Sequence, residues 1–249
     1  MRLLVDSHCH LDHSMFSDLD EVVQRARQAG VALIITNGAN PEKNRQALEI
    51  ASGYDVVRAA LGIYPVDACE LSESAVKAEI GRIKKADVIA IGEVGLDYFW
   101  VTDEGKRERQ RKVFQQMIAL ARELDRPIIV HSRKAEEDAI GLLEKAGLKV
   151  IMHCFSGNFQ LVEQVRDRGW IFSVPTNIVF SEHFQKLVRI VPMNQILTET
   201  DAPYLSPFKD RRNEPAFVAR AVEMIAEVKG LVPDEVSKII YMNYQRIFC

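Results

Sequence analysis

Eight short apolar runs rich in β-branched residues recur along the chain, at 3–5, 33–36, 56–61, 88–91, 128–130, 150–152, 170–174 and 196–197. Helical periodicity fills the intervals. Segment 19–29 sets Val22, Val23 and Ala26 on one stripe, and 107–124 sets Val113, Met117, Leu120 and Leu124 against a charged face. Shorter stretches at 161–168 and 182–191 repeat the pattern. A final pair, 215–229 and 233–246, opens with Pro215 and Pro233, which suit the first turn of a helix. Strand and helix alternating eight times predict a parallel sheet closed on itself. Runs that are apolar throughout belong to strands covered on both faces. The expected fold is α/β, a single (β/α)8 TIM barrel with C-terminal helices, spanning residues 1–249 as one domain. The competing open, doubly wound sheet would carry a GxGxxG turn after its first strand, and none is present.

The chain is 249 residues long, 47% hydrophobic and 27% charged, with a formal net charge of -3. No overall positive field exists to attract a polyanion, so such a substrate needs local cations. Cys9, Cys69, Cys154 and Cys249 form no CxxC pair and read as reduced thiols. The apolar N-terminal run ends at Asp6, far short of a secretory segment, and no run approaches the ~20 residues of a membrane span. A cytoplasmic enzyme with no membrane partner is expected; protein partners are not legible.

In a barrel enzyme the chemistry sits where strands end at their C-terminal rim. His8 and His10 close the first run. Residues two apart in a strand share a face, so both imidazoles reach one ion while Cys9 turns away. Glu93, His131, His153 and Asp201 end the fourth, fifth, sixth and eighth runs in the same manner. Imidazole and carboxylate suit zinc, manganese and similar ions. Six ligands exceed the needs of one open ion and match two divalent metal cations (Zn, Mg or Mn) bridged by a carboxylate. Glu93 is the expected bridge, because strand four lies between the other contributors. His8, His10 and Asp201 complete one ion, His131 and His153 the other.

The stretches His8-Cys-His-Leu-Asp12, Gly92-Glu-Val-Gly-Leu-Asp97, His131-Ser-Arg133, His153-Cys-Phe-Ser-Gly157, Thr198-Glu-Thr-Asp-Ala-Pro-Tyr-Leu205 and Arg212-Asn-Glu-Pro215, in that order, resemble those of TatD-family metal-dependent deoxyribonucleases. The resemblance implies an amidohydrolase-like barrel, two cations, and hydrolysis of DNA phosphodiesters, often from a 3′ end and on single strands. It also implies that Glu93 stands where many barrel relatives use a carboxylated lysine. Two stretches depart from the family pattern. Gly62-Ile-Tyr-Pro-Val66 replaces Gly-x-His-Pro-His, and Lys209-Asp-Arg211 replaces an Arg-Gly-Lys turn.

The expected mechanism is attack on phosphorus by a two-metal-activated water whose proton Asp201 accepts, with Glu93 setting the separation of the ions. Arg133 (by parity with His131), Tyr64, Ser156 and Arg212 are the candidate substrate contacts. Asp97 and Asp6 are candidates for orienting imidazoles, although for Asp6 and Glu199 a structural hydrogen bond is favoured. His13 and His183 read as surface residues. Two rival readings remain open: a metal-dependent amidohydrolase or esterase acting on a small molecule, and a non-catalytic metal-binding protein.

Overall fold

Each apolar run becomes a strand, and the strands pair in parallel in sequence order to form one eight-stranded sheet. The computed structural model describes residues 2–249. Strand β1 (Leu4–Cys9) is followed by α1 (Leu19–Gln28), β2 (Val31–Asn37), α2 (Pro41–Gly53) and β3 (Val57–Leu61). Two helices, α3 (Pro65–Glu70) and α4 (Glu73–Ile83), lead to β4 (Ala90–Asp97), α5 (Glu104–Glu123), β5 (Ile128–Arg133), α6 (Glu136–Leu143) and β6 (Val150–His153). Then come α7 (Phe159–Asp167), β7 (Ile171–Pro175), α8 (Glu182–Ile190) and β8 (Ile196–Glu199). The chain closes with α9 (Val218–Lys229) and α10 (Pro233–Phe248), which pack over β8 and β1. The expected barrel with C-terminal helices is the observed fold.

Strands run past the apolar segments at their C-terminal ends. The β4–β5 ladder continues through Gly95 opposite His131 and Asp97 opposite Arg133. Polar side chains therefore project from regular strand, and hydrophobic periodicity, which reports burial, stops short of them. Gly95 is required there: its φ is +138°, and a Cβ would lie 2.0 Å from the His131 carbonyl oxygen.

The last seam is held differently from the other seven. Asp201 N–H donates to the His8 carbonyl (2.9 Å) and His10 N–H to that of Ala202 (2.8 Å). Side chains complete the closure. Ser7 Oγ donates to the Thr198 carbonyl at 2.9 Å, and Thr198 Oγ1 to that of Val5 at 2.7 Å. Buried Asp6 accepts from Thr200 N–H at 2.8 Å and from Thr200 Oγ1 at 2.6 Å. Burial pushes its carboxyl up to about 8 against these hydrogen bonds.

Helices α2, α3, α4 and α6 lie outside the segments expected to be helical; α4 and α6 carry only short apolar stripes, Val76 with Ile83 and Ala139, Ile140 with Leu143. In α2 the inward face holds Asn44, which donates to the Gly62 carbonyl at 3.0 Å and to Glu79 Oε1 at 2.7 Å. A buried amide thus takes the place of an aliphatic residue. The expected helix at 215–229 begins with a 3-10 turn, Pro215–Phe217, before α9.

Candidate metal centre

Strand alternation puts His8 and His10 side by side, their Nε2 atoms 3.3 Å apart, while Cys9 turns to the opposite side, its thiol toward the Ile35 carbonyl at 3.5 Å. Glu93, from β4, divides its oxygens between two histidine pairs. Oε2 lies 3.7 Å from His8 Nε2 and 3.5 Å from His10 Nε2. Oε1 lies 2.9 Å from His131 Nδ1 and 3.8 Å from His153 Nε2. Asp201 follows β8 in a left-handed turn, φ 56°, a conformation that aspartate tolerates better than most residues. Its Oδ1 is 3.6 Å from both His8 and His10 Nε2 and 3.9 Å from His153 Nε2. Three overlapping triads result: His8–His10–Glu93, Glu93–His131–His153 and His8–His153–Asp201.

These separations fit a divalent cation. Two ligand atoms ~2.1 Å from one ion at a tetrahedral angle stand ~3.4 Å apart. Most of the observed imidazole–carboxylate gaps are instead too long for hydrogen bonds. Buried His8 shows the consequence: its Nδ1 has no partner among the described residues, and its Nε2 faces two carboxylates beyond bonding range.

The other ring nitrogens are tied down. A carbonyl can only accept, so His10 donates from Nδ1 to Asn37 O (3.1 Å), which leaves the Nε2 lone pair for an ion. His153 Nδ1 meets Glu199 Oε2 at 2.9 Å, and Cys154 N–H donates to Glu199 Oε1 at 3.1 Å. His131 Nε2 meets Asp97 Oδ2 at 3.0 Å. Such partners fix the tautomer and ring orientation of a ligating histidine.

The charges are coupled. Burial alone would raise Glu93, but His131, His8 and His153 hold it well below the usual carboxylate range. Burial alone would lower His10 and His153, yet the surrounding carboxylates raise them to about 9 and about 10; His131 is raised by Asp97 and Glu93. His8, fully buried and stacked 3.7 Å above His153, is pushed far down by desolvation and then by that neighbour.

A cavity of about 630 Å³ opens over these residues, walled also by Lys43, Tyr64, Trp100, Arg133 and Tyr204. Tyr64, a candidate substrate contact from the sequence, lines the cavity. Burial, then Glu93 and Asp97, holds its phenol far above its usual value, and it donates to Asp97 Oδ2 at 3.1 Å. Arg133 lies over the Phe99 ring at 3.8 Å. Two expected substrate contacts do not line the cavity. Arg212 binds Asp18 through both nitrogens at 2.7 and 2.9 Å and covers Phe16, tying the closing segment to the start of α1. Ser156 donates to Glu136 at 3.1 Å on the surface. Asp6 serves the barrel seam, and Glu199, given the same structural reading from sequence, instead orients an imidazole. His13 and His183 are half-buried, and His13 lines the cavity. Lys43, Trp100 and Tyr204 were not among the site residues expected from the sequence, because a helix start and two loops carry no periodicity.

The TatD related DNase family model matches residues 5–249. An uncharacterized metal-dependent hydrolase of Bacillus subtilis, YabD, is 35% identical over 99% of both chains. Human deoxyribonuclease TATDN3 is 36% identical over 98% of this chain and 94% of its own. Among solved structures, the TatD homologue YJJV of Escherichia coli superposes with a TM-score of 0.91 at 30% identity, covering 98% of this chain and 97% of that one. The ligand geometry and these likenesses agree: the chain belongs to the TatD-related DNase family of metal-dependent hydrolases.

Proposed function

We propose that the protein hydrolyses phosphodiester bonds of DNA at a two-cation centre held by His8, His10, Glu93, His131, His153 and Asp201. The division of the Glu93 oxygens between two histidine pairs carries this reading. Divalent cations bound there supply Lewis-acid polarisation of a phosphoryl oxygen and lower the pKa of water to near neutrality.

The remaining chemistry belongs to the chain. Asp201, with 15% of its side chain exposed against 5% for Glu93, is the carboxylate that meets an incoming water and takes its proton. Glu93, kept ionised by the imidazoles, sets the spacing of the two halves of the site. Arg133 and Lys43 place positive charge on the cavity wall for the phosphates of the substrate, which the protein, with a net charge of -3, does not attract by an overall field. Lys43 is braced by the Asp12 carboxylate at 3.1 Å.

The test is a single-stranded oligonucleotide labelled at either end. It is incubated with protein stripped by chelator and then resupplied with zinc, magnesium or manganese, beside a panel of small esters and lactones. Metal-restored shortening from the 3′ end is expected. Intact DNA with a cleaved ester would overturn the reading.

A further inference from the structure

Trp100 is 65% exposed and Phe99 45%, on the loop that follows β4. Large aromatic surface left in water calls for a partner. The loop is held firmly in place. Phe99 and Trp100 donate their backbone N–H groups to Asp97 Oδ1 at 2.9 and 2.8 Å. The other oxygen of Asp97 holds His131 and Tyr64. One buried carboxylate thus positions both a candidate ligand imidazole and the aromatic pair, so the pair keeps a constant place relative to the centre.

Arg133 completes the group. It lies two residues beyond His131 on β5, with Cζ 3.8 Å from the Phe99 ring centre and 5.6 Å from that of Trp100. Among the described residues its guanidinium has no carboxylate within 4.0 Å. Nor does it donate a hydrogen bond to any described residue, so its N–H groups are available while its plane is stacked on Phe99. Trp100 and Arg133 line the same cavity as Glu93, His131, His153 and Asp201, and Tyr204, 51% exposed, stands among its other walls. An exposed indole beside an unpaired, preoriented guanidinium matches a nucleotide, which offers a π-face and an anion a short distance apart. A paired base in a duplex has its faces covered by its neighbours, so the occupant is an unpaired one.

We propose that Trp100, Phe99 and Arg133 form a nucleotide subsite beside the metal centre, where an unpaired base stacks on Trp100 and Arg133 binds a phosphate flanking it. This rests on the reading that the centre acts on DNA, and it names the part of the strand that the protein grips.

The experiment titrates the full-length protein, with chelator present so that no cleavage occurs, into a single-stranded oligonucleotide carrying 2-aminopurine. Stacking on the indole quenches the emission. Trp100→Ala is expected to abolish most of the quenching and weaken binding about tenfold, and Trp100→Phe to restore most of the affinity. Arg133→Ala is expected to lower the slope of log affinity against log salt by about 0.7. With cations restored, KM for the oligonucleotide should rise in parallel for Trp100→Ala. Quenching and affinity unchanged in Trp100→Ala would overturn the subsite, whether or not the protein cuts DNA. Wild-type protein that quenches and binds yet leaves DNA intact with every cation would sink the nuclease reading and leave the subsite standing.

Discussion

Replacing Glu199 by glutamine tests whether the centre depends on its supporting carboxylate. The side chain is fully buried and keeps its shape, but one acceptor becomes a donor. In the native protein Glu199 Oε2 faces His153 Nδ1 at 2.9 Å, with Ser173 Oγ donating to the same oxygen, and Oε1 takes Cys154 N–H at 3.1 Å. If the glutamine oxygen keeps His153, its NH2 confronts the Cys154 N–H, donor against donor. If it turns over, the NH2 confronts His153, whose proton must then move to Nε2, the nitrogen aimed at Glu93 and Asp201. The first arrangement leaves a buried donor unsatisfied, which costs about 1–3 kcal/mol. The second removes a ligand lone pair. Supporting partners of metal ligands typically account for about 10–100-fold in affinity or activity, which is ~1.4–2.8 kcal/mol at ~1.4 kcal/mol per decade. The Glu199→Gln protein should therefore require about 10–100-fold more free cation for half-maximal activity. Competition with a chromophoric chelator measures the affinity directly. Wild-type cation affinity in a folded Glu199→Gln protein would refute the assignment of Glu199 to His153.

Three further outcomes follow from the same geometry. Asp201→Asn should fold normally but lose about 10²–10⁴-fold in turnover of DNA, since the amide cannot accept the water's proton; end-labelled oligonucleotide kinetics at saturating cation would show it. In metal-free protein His10 and His153 keep their protons to about 9 and about 10, against 6.5 for the ordinary group. Their stabilising contribution is thus complete below pH 6.5 and is lost as the pH rises through 9 to 10. Calorimetric scans of chelated protein should show a falling melting temperature from pH 7 to 10, and added cation, which needs neutral imidazole, should remove the fall. Finally, Arg212→Ala should cost about 1 kcal/mol of stability, a melting-temperature drop of roughly 2–4 °C, because it breaks a partly exposed ion pair. Its affinity for single-stranded DNA should match wild type, and a large loss there would return Arg212 to the substrate path.

The geometry of the candidate centre rests on coupling between elements far apart in sequence. Asp97 links Tyr64, His131 and the Phe99–Trp100 loop through one carboxylate. Glu199 links β6 and β8. Gly95, which admits the His131 carbonyl within 2.0 Å of where a Cβ would stand, lets β4 and β5 approach closely at the same level. A disturbance at any of these points should register first in the orientation of the imidazoles.

The barrel and the six candidate ligands were legible in the sequence because both follow from periods along the chain. Alternation over two residues aligned His8 with His10, and the barrel rule collected Glu93, His131, His153 and Asp201 at one rim. What the linear order could not decide was partnership across space. Asp6 and Glu199 are both buried strand carboxylates, and only the fold sent one to Thr200 at the seam and the other to His153. Arg212 and Arg133 are both arginines near the rim, and only the fold paired one with Asp18 and left the other stacked on Phe99. The reason is physical. Strand geometry is local and repeats every two residues, whereas a hydrogen bond or ion pair depends on a distance of about 3 Å between segments that lie from tens to almost two hundred residues apart, which only the assembled barrel sets.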